Sequence, residues 1–152
     1  MMNFAKCMIA MTVVMTMTRI NVGVKPEELM NQHLIAEIKE IPQLIGQLRK
    51  SIGSKNFSID DIPIDFRLGS GHVKFFYNKL NYIIDRYDLL LAEAEFRNYN
   101  CRYMLFLDNL PRWCFGEYQE NEKDRLMVLE RIQSKIDLKP NYYRNKRNER
   151  IM

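Results

Sequence analysis

Cysteine, histidine and uninterrupted apolar sequence are all scarce in this chain of 152 residues. Its three cysteines, Cys7, Cys101 and Cys114, are scattered, odd in number and free of CxxC spacing. This argues against a disulfide framework or a zinc site and for a reducing compartment such as the cytoplasm. The two histidines, His33 and His72, lie far apart, so a histidine-rich metal site is not expected. No apolar run reaches the roughly 18 residues that a membrane span needs. Glycine is sparse too. Gly69-Ser70-Gly71 ahead of a helix can present N–H groups to a phosphate, but it lacks the last glycine of GxGxxG and follows no strand. A nucleotide-binding fold is therefore unsupported, and a tight turn is the plainer reading. The alternation of strands is missing as well, and there are no internal repeats or low-complexity stretches.

Hydrophobic residues make up 47% of the chain and charged residues 28%, which suits one ordinary globular core. The length leaves too little for two. The net charge is +4, and residues 139–152 account for all of it: Lys139, Arg144, Lys146, Arg147 and Arg150 face one acid, Glu149. With Tyr142 and Tyr143 beside them, these cations suit a phosphate-binding and base-stacking surface; a solvated chain end fits equally well. Residues 1–16 stand apart, with methionines at 1, 2, 8, 11 and 15 and one charge, Lys6. The lysine ahead of Cys7–Val14 faintly resembles an export signal, but the stretch is short, broken by threonine and lacks an A-x-A site. A reading frame opened too early, with the true start at Met17, explains the methionines better. The expected organisation is a non-domain extension over 1–16 and a single helical domain over 17–152 that ends in the basic tail.

Three amphipathic helices are predicted. The first runs from about Pro26 to Lys50, because proline loses no hydrogen bond in a first turn and Glu27 and Glu28 meet the positive end of the helix dipole. Leu34, Ile38, Ile41, Ile45 and Leu48 recur every three or four residues and form one buried stripe. Pro42 falls inside it and predicts a kink. The second helix starts at His72 or Val73 and runs to about Arg97, with Phe76, Leu80, Ile83, Ile84, Tyr87, Leu91 and Ala94 on its apolar face. The third runs from about Asn121 to Leu138, with Leu129, Ile132 and Ile136 inward and Arg131 and Lys135 on one exposed side. The fold class is all-α: a compact domain of three main helices with long irregular connections over 51–68 and 98–120.

His33, Glu37 and Glu40 follow one another at i, i+4 and i+7 on the first helix, next to its apolar stripe. Carboxylates at the edge of a core gain proton affinity, which suits acid–base chemistry; a solvated face with a histidine cap has the same spacing. These residues lie in two specific blocks. Met17-Thr18-Arg19-Ile20-Asn21, then Asn31-Gln32-His33-Leu34-Ile35-Ala36-Glu37 and Lys39-Glu40-Ile41-Pro42, resembles the start of the phage-type pyrimidine-dimer DNA glycosylases, the dimer-specific endonuclease V family. Leu68-Gly69-Ser70-Gly71-His72-Val73-Lys74-Phe75-Phe76-Tyr77-Asn78-Lys79-Leu80 is similar to that family's second block. Weaker likeness extends through Arg131, Lys135 and Pro140-Asn141-Tyr142-Tyr143, while residues 1–16 have no counterpart.

The resemblance implies a bifunctional repair enzyme with a compact helical fold. Its nucleophile would be the α-amine of Thr18, exposed by removal of Met17, and its essential glutamate would be Glu40. The amine attacks C1′ of the 5′ nucleotide of a cyclobutane dimer and displaces the base; the resulting Schiff base permits β-elimination and strand scission. Glu37, one turn before Glu40, is expected to matter far less. DNA contacts fall by resemblance on Arg19, Lys39, Arg131 and Lys135, with His33 near the catalytic pair, and Tyr142, Tyr143 and Arg144 form the expected tail surface. No metal or organic cofactor is implied. The partner is double-stranded DNA bearing pyrimidine dimers or abasic sites, with no membrane involved and a monomer expected, in the cytoplasm of a cell or of a virus's host. Two departures stand out: Gln43 replaces an arginine usual after the proline, and the aromatic cluster near the C-terminus keeps Tyr142 and Tyr143 without its tryptophan. The alternative is a DNA-binding relative without catalysis, which recognises damaged or bent duplex.

Overall fold

Leu34, Ile38, Ile41, Ile45 and Leu48 are all buried, none more than 3% exposed, and the chain is wound around the helix that carries them. The computed structural model describes residues 20–144. Among these residues there are four α-helices, α1 (Asn31–Ile52), α2 (His72–Phe75), α3 (Leu80–Phe96) and α4 (Glu122–Leu138), and no strand. The class is all-α, as expected, and α1 packs chiefly on α3. No helix of the described residues is long and apolar enough to cross a membrane. The extension over 1–16, Thr18, Arg19 and the tail cations Lys146, Arg147 and Arg150 lie outside the described residues.

The first predicted helix begins later than its opening signals suggested. Pro26–Glu28 form a separate 3-10 turn, in which the Lys25 N–H donates to Glu28 Oε2 at 2.9 Å. Leu29 and Met30 are then extended, at ψ 144° and 158°, and this link lets Leu29 reach the core. Pro42 does not end α1, which continues to Ile52.

The second predicted helix is divided. After α2 comes a 3-10 turn, Phe76–Asn78, and Lys79 at φ −133° and ψ 37° separates it from α3. Just before the break, Phe75 and Phe76 are both buried and lie edge to face with centroids 5.1 Å apart. Lys79 Nζ bridges the interruption by donating to Phe75 O at 2.9 Å and Asn78 Oδ1 at 2.8 Å. α4 starts within a residue of its predicted position, because the Asn121 side chain accepts the Asp124 N–H at 2.9 Å.

One expectation about cysteine fails: Cys101 is disulfide-bonded, while Cys114 is free and buried.

Both ends of the described chain close over the first half of α1. Ile20, Val22 and Val24 are at most 1% exposed, and Tyr143 is fully buried. Gln32 holds the later segment by its amide, donating to Tyr142 O at 2.7 Å and accepting the Arg144 N–H at 3.1 Å. The Asn31 N–H, unpaired within its own helix, donates to Arg144 O at 2.7 Å. Residues 33–41 are therefore buried on every face, not on one stripe alone.

Candidate catalytic and nucleic-acid site

Every charged group on the first half of α1 is removed from solvent: Glu37 is 0% exposed, Glu40 5%, Lys39 7% and His33 9%. Such groups persist only with partners or with a use for their strain. Glu37 has partners. Arg86 of α3, itself buried, grips its carboxylate through Nε and, at 3.1 Å, Nη2. Burial works against the Arg86 charge, but the Glu37 carboxylate outweighs it and holds the guanidinium more firmly protonated than usual. Asn21 Nδ2 donates at 2.8 Å to Glu37 Oε1, the oxygen that also accepts from Arg86 Nη2. Spacing alone did not show this setting of Glu37, which is the centre of a buried ion pair.

His33 stands differently. Its ring lies parallel to that of Tyr143, with centroids 4.6 Å apart and 6° between planes. Neither of its nitrogens, nor the Tyr143 hydroxyl, has a hydrogen-bond partner among the described residues. Burial, then the positive charges of Arg131 and Lys135, holds the His33 pKa down to about 4, so the imidazole is neutral near pH 7. Burial pushes the Tyr143 phenol up to about 12. His33, Tyr143, Arg131 and Lys135 thus form one cluster between α1, α4 and the later chain segment.

The other predicted site residues are spread around it. Arg131 and Lys135 are half-buried on α4, and Arg131 Nη2 donates to Asn21 Oδ1 at 3.5 Å. Tyr142 and Arg144 are half-buried, whereas Tyr143 is covered and presents no ring face to solvent. Lys39 turns away from the cluster: its Nζ donates to Tyr103 Oη and lies 4.4 Å from that ring's centroid. Gln43 is half-buried one turn beyond Lys39. Among the described residues, no three His, Cys, Asp or Glu side chains group in a way that could hold a metal ion.

Residues not singled out from the sequence support this arrangement. His72, fully buried, accepts the Ile20 N–H on Nε2 at 3.0 Å, and its Nδ1 lies 2.8 Å from Arg67 O. A carbonyl only accepts, so Nδ1 carries the proton and Nε2 the lone pair. The turn Gly69-Ser70-Gly71 delivers this histidine: both glycines are left-handed, at φ 71° and 88°. The turn leads into a helix of only four residues, and its visible task is to place His72. Arg86 had a signal in the sequence. A cation between Ile83, Tyr87 and Leu90 on an apolar face needs a buried acid, and Glu37 was the acid beside the facing stripe. Asn21, Gln32 and Tyr103 had none.

A family profile described as pyrimidine dimer DNA glycosylase matches residues 17–106. The chain belongs to that family, so its function is glycosylase action on pyrimidine dimers in DNA repair. The match takes in Thr18, Arg19, His33, Lys39 and Glu40 together with Asn21, Glu37 and Arg86; α4 and the residues after it lie beyond.

Proposed function

We propose that this glycosylase works through the α-amine of Thr18, with Glu40 as its essential carboxylate, and that it also cleaves the strand at the abasic site it creates. The observation that carries the reading is the seating of residues 20–23 against α1. Ile20 is fixed by His72 and Asn21 by Glu37, and Glu40 lies one turn further along the same helix, about 4.5 Å on at 1.5 Å per residue. Thr18 is two residues ahead of Ile20, so its Cα lies within about 7.6 Å of the Ile20 Cα. An α-amine with a pKa near 7.7–8.0 is substantially unprotonated at neutral pH, unlike an ordinary lysine. Its lone pair attacks C1′ and the base leaves with the bonding electrons; the C1′–O4′ bond then opens as O4′ takes a proton, and the resulting imine acidifies C2′ for β-elimination of the 3′ phosphate. A carboxylate at Glu40 stabilises the cationic sugar in the first step and relays protons in the imine steps. No cofactor enters this sequence.

For DNA contacts the reading takes Arg19, Lys39, Arg131 and Lys135 with His33, and Tyr142, Tyr143 and Arg144 as the tail surface. Arg131 and Lys135, half-buried on α4, offer two cations to a phosphate, while the buried His33 between them stays neutral. Tyr143 serves there as the platform that holds His33, and the half-buried Tyr142 is the ring assigned to stack on a base.

The start of the chain tests the proposal. If residues 1–17 are retained, the Thr18 nitrogen is an amide whose lone pair is delocalised. Borohydride should trap a chain beginning at Thr18 on abasic duplex and leave the 152-residue chain free. Efficient trapping of the long chain, or of a Thr18 chain with an acetylated amine, would assign the nucleophile to another group. A Thr18 chain that binds dimer-containing duplex and never nicks it would be the non-catalytic DNA-binding relative.

A further inference from the structure

Glu37 is a fully buried carboxylate for which the proposed chemistry has no use, yet it is among the most closely held side chains of the described residues. Arg86 takes it from α3 and Asn21 from the segment that leads back to Thr18. The Asn21 amide sits between opposite charges. Its NH2 group points to the Glu37 carboxylate at 2.8 Å and its oxygen to the Arg131 guanidinium at 3.5 Å. An aspartate there would oppose Glu37 by charge, and an alanine would release both contacts. The same segment is held at two more points, Ile20 N–H on His72 at 3.0 Å and Gly23 N–H on Glu120 at 3.2 Å. Gly23 is left-handed, at φ 77°, and a Cβ there would stand 2.8 Å from Arg125 Cβ, so a side chain at this position would push the segment off α4.

We infer that Asn21 and Glu37 are positioning residues, which set where the Thr18 amine stands relative to Glu40 and the sugar. The inference rests on the α-amine reading above. Three anchors hold residues 20–23, the described segment next in sequence to Thr18 and Arg19. Of these, the Asn21–Glu37 contact is the one made to the helix that carries Glu40. An attacking amine must lie about 3–3.5 Å from C1′ and in line, and displacement by an ångström costs as much as 100-fold in rate. The Asn21 contact is thus tied to the rate of imine formation. Binding, which draws on many phosphate contacts, is largely independent of it.

The test uses the chain that begins at Thr18 and compares parent, Asn21→Ala and Asn21→Ser. Imine formation on abasic duplex is followed by borohydride trapping from pH 6 to 9. Affinity for the same duplex carrying a reduced, uncleavable site is measured alongside, and both are read at a temperature where each variant is folded. Asn21→Ala should trap about 10–100-fold more slowly, at an affinity within about threefold of parent. The pH midpoint of trapping should not change, since the amine keeps its identity. Serine retains a donor for Glu37 and should recover part of the rate. Equal trapping rates for parent and Asn21→Ala, or a loss of trapping matched by an equal loss of affinity, would overturn the inference. If Asn21→Ala does not fold, Asn21→Ser is judged alone by the same split. A parent trapped equally well after acetylation of its amine would instead overturn the α-amine reading, and the positioning role with it.

Discussion

His33 and Tyr143, from opposite ends of the described chain, stack face to face with 6° between their rings. The pairing has an electrostatic consequence. Folded His33 resists protonation down to about pH 4, whereas an unfolded histidine takes up its proton near 6.5. As pH falls, the unfolded state therefore binds the proton first. Stability is complete above about pH 6.5 and is lost progressively toward pH 4, by on the order of 3 kcal/mol. His33→Phe keeps a ring against Tyr143 and should show a shallower loss between pH 7 and 4.5 in thermal unfolding. In the parent, the His33 proton resonances should titrate near pH 4.

Glu37→Gln and Glu40→Gln, one helical turn apart, should fail in different ways. The first leaves Arg86 buried without its carboxylate, which costs about 3–5 kcal/mol and should lower the Tm sharply. The second preserves shape and should leave affinity for dimer-containing duplex intact while slowing base release by about 100-fold or more. Calorimetry and single-turnover nicking on the same preparations separate the two.

Gln32→Ala removes both hydrogen bonds that hold the backbone of Tyr142 and Arg144. The expected cost is about 1–3 kcal/mol, because the freed groups are partly covered. Limited proteolysis should cut near Tyr142 and Tyr143 faster in the variant than in the parent.

Binding to undamaged duplex should weaken steeply with salt. Arg131→Ala or Lys135→Ala should each reduce the slope of log affinity against log salt by about 0.9, the effect of one phosphate contact. Removing residues 145–152, with Lys146, Arg147 and Arg150, should flatten it further. An unchanged slope after truncation would make the tail a solvated appendage.

The helices were legible because periodic burial writes itself into sequence. Leu34 through Leu48 announced α1, and Leu129, Ile132 and Ile136 announced α4. The break at Lys79 was not legible, since the apolar spacing of Phe76, Leu80 and Ile83 runs straight across it. At the candidate site, the stripe His33, Glu37, Glu40 could be read from spacing, but the division of labour within it could not. Whether a glutamate meets a buried arginine depends on α3 lying across α1, a tertiary fact. Tyr143 was misjudged for the same reason: a tyrosine in a basic tail reads as exposed until a histidine is found beneath it.

The partners of the first half of α1 reach it from far along the chain: Asn21 is 16 positions from Glu37, Arg86 49, and Tyr142 and Arg144 110 and 112 from Gln32. A helix forms from local contacts in about a microsecond or less, while loops of this length close against a larger loss of chain entropy. In a chain growing from its N-terminus, α1 can therefore coil long before Arg86 is available to Glu37, and Tyr143 reaches His33 last of all. The segment from Ile20 and the helix it packs on are made first, but the surroundings that cover them are made at the close of synthesis. Competence to act on DNA thus arrives in one late step, with the finished fold.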